Sequence, residues 1–135
     1  MQLIAITGMR YGPKVALVRE LAAQHSAAGL RVALLDNTEQ PIQLNGVDRS
    51  RFAGGCVCCT LAGSLIPTVW KLEADVALLP VSASADPEML ARVLETIQNT
   101  RIQAHTIALI DDHTRQQHPY LAQRLAFYAN EVRAV

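Results

Sequence analysis

Aromatic side chains are scarce in this chain: one tryptophan, three tyrosines and two phenylalanines, 4% of 135 residues. Half of the residues are nevertheless apolar, and alanine, leucine and valine supply most of them. Such a composition suits stacked layers of parallel strands and helices better than an aromatic-rich β-sandwich. Excess charge is missing too, since 12 basic and 12 acidic residues balance at pH 7. Without a basic run or a basic face, neither a nucleic acid nor an anionic membrane surface is an expected partner. No apolar stretch is long enough to span a bilayer, and the N-terminus lacks the charged head and cleavage site of a signal peptide. A cytoplasmic, reducing setting is the expectation. Cysteine is also rare, and adjacent Cys58 and Cys59 are an awkward start for a disulfide framework.

What the chain does have is concentrated. All three cysteines fall inside Gly54-Gly55-Cys56-Val57-Cys58-Cys59-Thr60. Thiolates are soft ligands, so sulfurs this close invite zinc or another thiophilic ion such as copper(I). If Arg51 to Val57 is extended, Cys56 and Cys58 point the same way, and Cys59 must use the following turn to join them. The two glycines allow a close backbone approach or a positive φ around such a site. Three sulfurs leave a tetrahedron open, so water, a partner chain, a carboxylate or an imidazole must complete it. His113 and His118 flank a loop and could supply such an imidazole. Two plainer readings stand beside this one: free cysteine as a small buried hydrophobe, and a redox dithiol.

Around this cluster, strands alternate with helices. Gln2 to Thr7 reads as a buried strand ending at Gly8, and a helix from Pro13 carries Val15, Val18, Leu21 and Ala22 on one face as far as Gly29. Arg31 to Leu35 is a second strand, and the turn-rich Asp36 to Pro41 follows at the strand end where open α/β sheets bind ligands. A polar loop with room for a short strand occupies Ile42 to Ser50. After the cysteines, Ser64 is expected to cap a helix with Leu65, Val69 and Leu72 inward, which keeps Pro67 in the first turn. Asp75 to Leu79 and Thr106 to Ile110 are further buried strands. Asp86-Pro87-Glu88 opens a helix, Asp111-Asp112-His113 forms a turn, another helix begins near Pro119, and Glu131 to Val135 can add a last strand. The whole predicts one α/β domain, residues 1–135, with a doubly wound, mostly parallel sheet and helices on both faces.

The first strand–helix loop, Gly8-Met9-Arg10-Tyr11-Gly12-Pro13-Lys14-Val15, compares with the phosphate-binding pattern G-x-x-x-x-G-K-[ST]. The first glycine and the lysine are in register. Pro13 stands at the second glycine, with no N–H for a phosphate, and Val15 stands at the hydroxyl residue that would hold Mg²⁺. Gly8, Gly12 and Lys14 are left as candidates for a phosphate-like anion. GTP with magnesium is not expected here, because loop geometry and metal ligation act together in phosphoryl transfer.

Gly55-Cys56-Val57-Cys58-Cys59-Thr60-Leu61, Asn37 after the second strand, Ala85-Asp86-Pro87 and Asp111 together resemble the GTP-binding domain of the CobW-type family of metallochaperone-like GTPases. The cysteine stretch carries that family's Gly-Cys-x-Cys-Cys-Thr-Leu signature. The resemblance implies a P-loop NTPase-like fold with a metal-binding loop, and the family's topology puts the loop of Glu39 and Asn37 beside the cysteines, which makes these two candidates for the fourth ligand ahead of His113 and His118. Pro80-Val81-Ser82-Ala83 stands where the family has Glu-Thr-Thr-Gly, no Asn-Lys-x-Asp motif is found in these residues, and no C-terminal domain is expected. It therefore implies a non-catalytic pseudo-GTPase in metal handling or in the regulation of a client metalloprotein, with self-association through a sheet edge or the cysteine face as a further expectation. The alternative it leaves open is an active metallochaperone GTPase with an atypical phosphate loop.

Overall fold

In the computed structural model, which describes residues 1–135, β1 (Gln2–Thr7) leads into α1 (Tyr11–Ala27) and β2 (Val32–Asp36). Then come β3 (Asp48–Arg51), α2 (Ala62–Lys71), β4 (Val76–Pro80), α3 (Pro87–Ile97), β5 (Gln103–Ile110), α4 (Asp112–Gln117), α5 (Pro119–Tyr128) and β6 (Glu131–Ala134). The strands form one sheet in the order β3-β2-β4-β1-β5-β6, and every neighbouring pair is parallel. The expected doubly wound α/β architecture is therefore present. No helix is long and apolar enough to cross a membrane.

The two-residue period of the strands decides which helix each side chain meets. In β1, Leu3 and Ala5 face a core shared with Leu65 and Val69 of α2 and with Leu90, Leu94 and Ile97 of α3. Ile4 and Ile6 face the other way, against Val15, Val18 and Leu21 of α1. Burial on both faces is why β1, β2 and β4 read as continuous apolar runs. Each fully buried leucine here contributes roughly 1.5–3 kcal/mol. Cys56, Val57 and Cys58 belong to the α2/α3 core rather than to the surface.

Four expectations are corrected. First, α1 begins at Tyr11, two residues before Pro13, so the helix absorbs the second half of the presumed phosphate loop. Second, the stretch from Arg51 to Val57 is not extended: β3 stops at Arg51, and the chain bends at Gly54, where φ is +85°. Only glycine reaches that conformation without strain, so the bend overrides the strand pattern. Third, α2 starts at Ala62 behind Leu61, with no side-chain cap, and Pro67 lies inside it. Fourth, the turn at Asp111 continues into α4, since Asp111 accepts from the Thr114 N–H at 2.8 Å and starts a helix. Asp86 caps α3 as expected, accepting from Met89 N–H at 3.0 Å.

Candidate functional site

The C-terminal ends of β2, β3 and β4 bring three loops to one edge of the sheet. The first begins with Asp36, whose side chain is fully buried. Its Oδ1 accepts from Thr38 N–H at 2.9 Å and from the Thr38 hydroxyl at 2.6 Å, and its Oδ2 accepts from Ile42 N–H at 2.8 Å. Arg51, the last residue of β3, sets its guanidinium 3.0 Å from Oδ1. A buried carboxylate is tolerated when it is paired and fully hydrogen-bonded, and this one shapes the loop rather than facing a ligand.

Asn37 joins all three loops. Its Nδ2 donates to the carbonyls of Phe52 and Gly55, both at 2.9 Å. Its Oδ1 accepts from Val57 N–H at 3.2 Å and from Ser82 N–H at 3.3 Å, and its own N–H donates to the Pro80 carbonyl at 3.0 Å. The side-chain amide is thus spent on the backbone and is not free to act as a metal ligand.

Within the cysteine loop, Cys56 and Cys58 are buried and joined as a disulfide, with Cα atoms 5.2 Å apart, where the sequence led us to expect reduced thiols. The Cys58 N–H points at the Cys56 sulfur, 3.2 Å away. Cys59 faces solvent. The structure therefore brings together two of the three expected sulfurs, and no group of three or more histidine, cysteine, aspartate or glutamate side chains converges on one point. The loop's tight fold explains one of its glycines: a Cβ on Gly55 would come within 2.2 Å of the Thr60 hydroxyl oxygen.

Glu39 does not cluster with the sulfurs. Its Oε1 accepts from Ala83 N–H at 2.6 Å and lies 3.9 Å from the Lys14 ammonium. Burial alone would push its carboxyl up. The Ala83 and Glu39 N–H groups and the charges of Lys14 and Arg51 outweigh that effect and hold it below the ordinary glutamate value. Lys14 is completely buried and donates to the Val81 carbonyl at 2.9 Å. Desolvation pulls its amine below the usual lysine value, opposed by Glu39.

The remaining candidates for an anion are placed as follows. Gly8 has a φ of +150°, and a Cβ there would stand 2.6 Å from the Leu109 carbonyl oxygen, so glycine is required by packing against β5. Gly12 lies in the first turn of α1 with open space around it. His113 and His118 pair edge to face at the two ends of α4, with ring centroids 6.3 Å apart, and neither joins the cysteines. Between the three loops lies a polar cleft of about 260 Å³, lined by Glu39, Arg51, Gly54, Gly55, Ser82 and Ser84 among others. Arg51 and Asp36 were not singled out by sequence. The Asp-x-Thr spacing at Asp36 and Thr38 is the one local signal, because aspartate often bonds the backbone two residues on.

No protein-family model matches the chain, and no curated protein matches it. Solved structures do. The signal recognition particle receptor FtsY from Elizabethkingia anophelis in complex with GDP superposes with a TM-score of 0.65 at 16% identity, over 98% of this chain and 48% of the receptor. A second structure of that receptor gives a TM-score of 0.59 at 16% identity, over 98% and 49%. A de novo designed protein with a P-loop NTPase fold gives 0.57 at 16% identity, over 99% of this chain and 82% of its own. The fold is that of the P-loop NTPases. This chain spans about half the length of the receptor structures it matches.

A P-loop cradles phosphate with the backbone N–H groups of the turn between its first strand and helix, and its lysine reaches the same phosphates. Here only Gly8, Met9 and Arg10 separate β1 from α1, and the lysine at the matching position is turned into the protein. Arg10, the residue just before α1, reaches sideways to Asp111 at 3.1 Å.

Proposed function

We propose that this chain is a non-catalytic, CobW-like pseudo-GTPase whose C-x-C-C loop holds a thiophilic metal ion, zinc by default, as cargo in metal handling or as a regulatory partner of a client metalloprotein. The observation that carries the reading is a contrast between two sites at one edge of the sheet. The Cys56 and Cys58 sulfurs lie side by side, joined by a bond that reduction opens, on a loop braced by Asn37, while Lys14 is committed to Val81 and Glu39. Reduction of the Cys56–Cys58 bond frees two neighbouring thiols, the soft donors a thiophilic ion takes.

The donor set fits an ion that is passed on rather than one locked in place. Two sulfurs leave tetrahedral positions open, and a closed structural zinc site needs four protein ligands. Cys59 stands exposed beside the pair and can supply a third sulfur when the loop meets a partner or a solvated ion. On the nucleotide side, Val15 has no hydroxyl for magnesium, and Pro80-Val81-Ser82-Ala83 contains no carboxylate.

Zinc titration of the reduced protein against a chelating indicator, beside calorimetry with GTP and Mg²⁺, tests the reading. Stoichiometric zinc binding that is lost in Cys56→Ser and Cys58→Ser and only weakened in Cys59→Ser is expected, with no heat from GTP. Zinc binding that survives both of the first two substitutions overturns it. Heat and hydrolysis with GTP support the active metallochaperone GTPase instead.

A further inference from the structure

The cysteine loop keeps its disulfide in the core and its third sulfur in water. Cys56 and Cys58 are 6% and 3% exposed and pack in the apolar layer with Val57 and Leu65, whereas Cys59 is exposed. A dissolved oxidant as large as a tripeptide disulfide therefore meets Cys59 first, since access governs thiol exchange. The turns of the loop decide which sulfur Cys59 can reach. Cys59 N–H donates to the Cys56 carbonyl at 3.2 Å, and Leu61 N–H donates to the same oxygen at 3.0 Å. A turn closed from residue i to i+3 keeps its end Cα atoms within about 7 Å, which overlaps the roughly 4.4–6.8 Å that a disulfide spans. Cys58 is the chain neighbour of Cys59, and adjacent Cα atoms stand only about 3.8 Å apart, too close for an ordinary bond between their sulfurs. Cys56 is thus the one sulfur that can pair with either of the other two.

We propose that Cys59 is the entry thiol of a disulfide relay, which takes oxidation from a low-molecular-weight disulfide of the glutathione class and hands it through Cys56 to the buried Cys56–Cys58 pair. In the first step the Cys59 thiolate attacks glutathione disulfide, forms a mixed disulfide and expels one glutathione thiolate. The Cys56 thiolate then attacks the Cys59 sulfur and expels the second. Last, the Cys58 thiolate attacks the Cys56 sulfur, closes the Cys56–Cys58 bond and returns Cys59 as a free thiolate. Two electrons leave Cys56 and Cys58 and reduce the oxidant to two glutathiones, which take up the two protons that these cysteines lose. The uncharged sulfur pair suits the apolar layer in which it ends. Excess glutathione runs the same three exchanges backwards. A disulfide sulfur is not a thiolate ligand, so the relay also withdraws two of the loop's three metal donors; that coupling rests on the metal reading, and the relay itself does not.

The test mixes the reduced, metal-free protein with glutathione disulfide, quenches with acid at intervals, alkylates the remaining thiols and maps each cysteine by peptide mass spectrometry. In the wild type the glutathione adduct is expected first on Cys59, followed by the Cys56–Cys58 disulfide with Cys59 alkylated at the end point. Cys59→Ser is expected to reach the same disulfide about tenfold more slowly or worse, because the oxidant must then enter the core. Oxidation of Cys59→Ser at the wild-type rate overturns the proposal. So does a first adduct on Cys56 or Cys58, or an end point that retains Cys59 in the bond. Adduct mapping on the wild type decides the matter if the serine variant does not fold. A parallel arm adds glutathione disulfide to zinc-loaded protein with a chelating indicator, where zinc release should keep pace with disulfide formation. Ordered oxidation in a protein that never binds zinc removes the metal reading and keeps the relay. Zinc binding with oxidation that ignores Cys59 does the reverse.

Discussion

Nδ2 of Asn37 donates to the Gly55 carbonyl oxygen at 2.9 Å and so ties the loop after β2 to the loop that carries the cysteines. The same amide reaches Phe52, Val57 and Ser82, so one side chain holds the ends of β2, β3 and β4 in register with each other. Truncation to Asn37→Ala strands several of these backbone groups in a buried place. A loss of about 2–4 kcal/mol is expected by urea unfolding, given a cost of about 1–3 kcal/mol for each buried group left unpaired. Zinc affinity should fall with it. A loss within experimental error would show that the three loops hold their positions without the amide.

Gly55 and Thr60 are packed too closely to admit another carbon, since an added Cβ meets the Thr60 hydroxyl oxygen at 2.2 Å and the Thr60 Cβ at 3.3 Å. Threonine is stiff at χ1, so it yields poorly. Gly55→Ala should cost roughly 1–3 kcal/mol, the usual range for overpacking. In a Thr60→Ala background the same change should cost clearly less. A double-mutant cycle that returns simple additivity would place the strain elsewhere.

Acid stability should depend on Asp111. The Thr114 hydroxyl first, then the Thr114 N–H and Arg10, hold its carboxyl at about 2 against an ordinary 3.8. A carboxyl lowered in the folded state stabilises above its unfolded value and stops doing so as the folded form takes up its proton. Stability is therefore expected to fall between about pH 4 and about pH 2, and Asp111→Asn should flatten that limb in pH-dependent thermal melts. A variant whose acid limb keeps the wild-type slope would assign the loss to the other lowered carboxyls, Glu39, Asp86 and Glu131.

Lys14→Met should leave stability within about 1 kcal/mol of wild type, because replacing a buried ion by an apolar side chain of similar volume removes a desolvation penalty along with a bond. Glu39 keeps the Ala83 N–H and remains partly solvated in that variant. Chemical denaturation reads the outcome. A loss of several kcal/mol would make the lysine a structural pin whose bond to Val81 outweighs its burial.

Much of the architecture was legible from residues 1–135 alone, and the reasons are local. The apolar runs of β1, β2 and β4 are buried on both faces, so composition and length identify them without knowledge of the sheet. Asp86-Pro87 announces α3 because an N-cap and a first-turn proline act within three residues. The bend at Gly54 was less legible, since glycine permits a positive φ without demanding one. The start of α1 at Tyr11 was hidden as well: a pattern defined by glycine and lysine spacing says nothing about how far a helix will grow into the loop.

Local chemistry alone determined the succession of strands and helices, the clustering of all thiols in one loop, and the absence of hydroxyl and glycine where a phosphate loop needs them. The tertiary structure alone decided which groups meet. Lys14 and Glu39 lie in loops or helices that follow different strands, and they become partners because β4 lies between β1 and β2 in the sheet. The same juxtaposition lets Asn37 reach Ser82, and the fold back of the cysteine loop onto the α2/α3 core buries Cys56 and Cys58 while Cys59 stays in water. Spacing along a chain limits what neighbours can do, but contacts across a parallel sheet follow strand order, which no local pattern encodes.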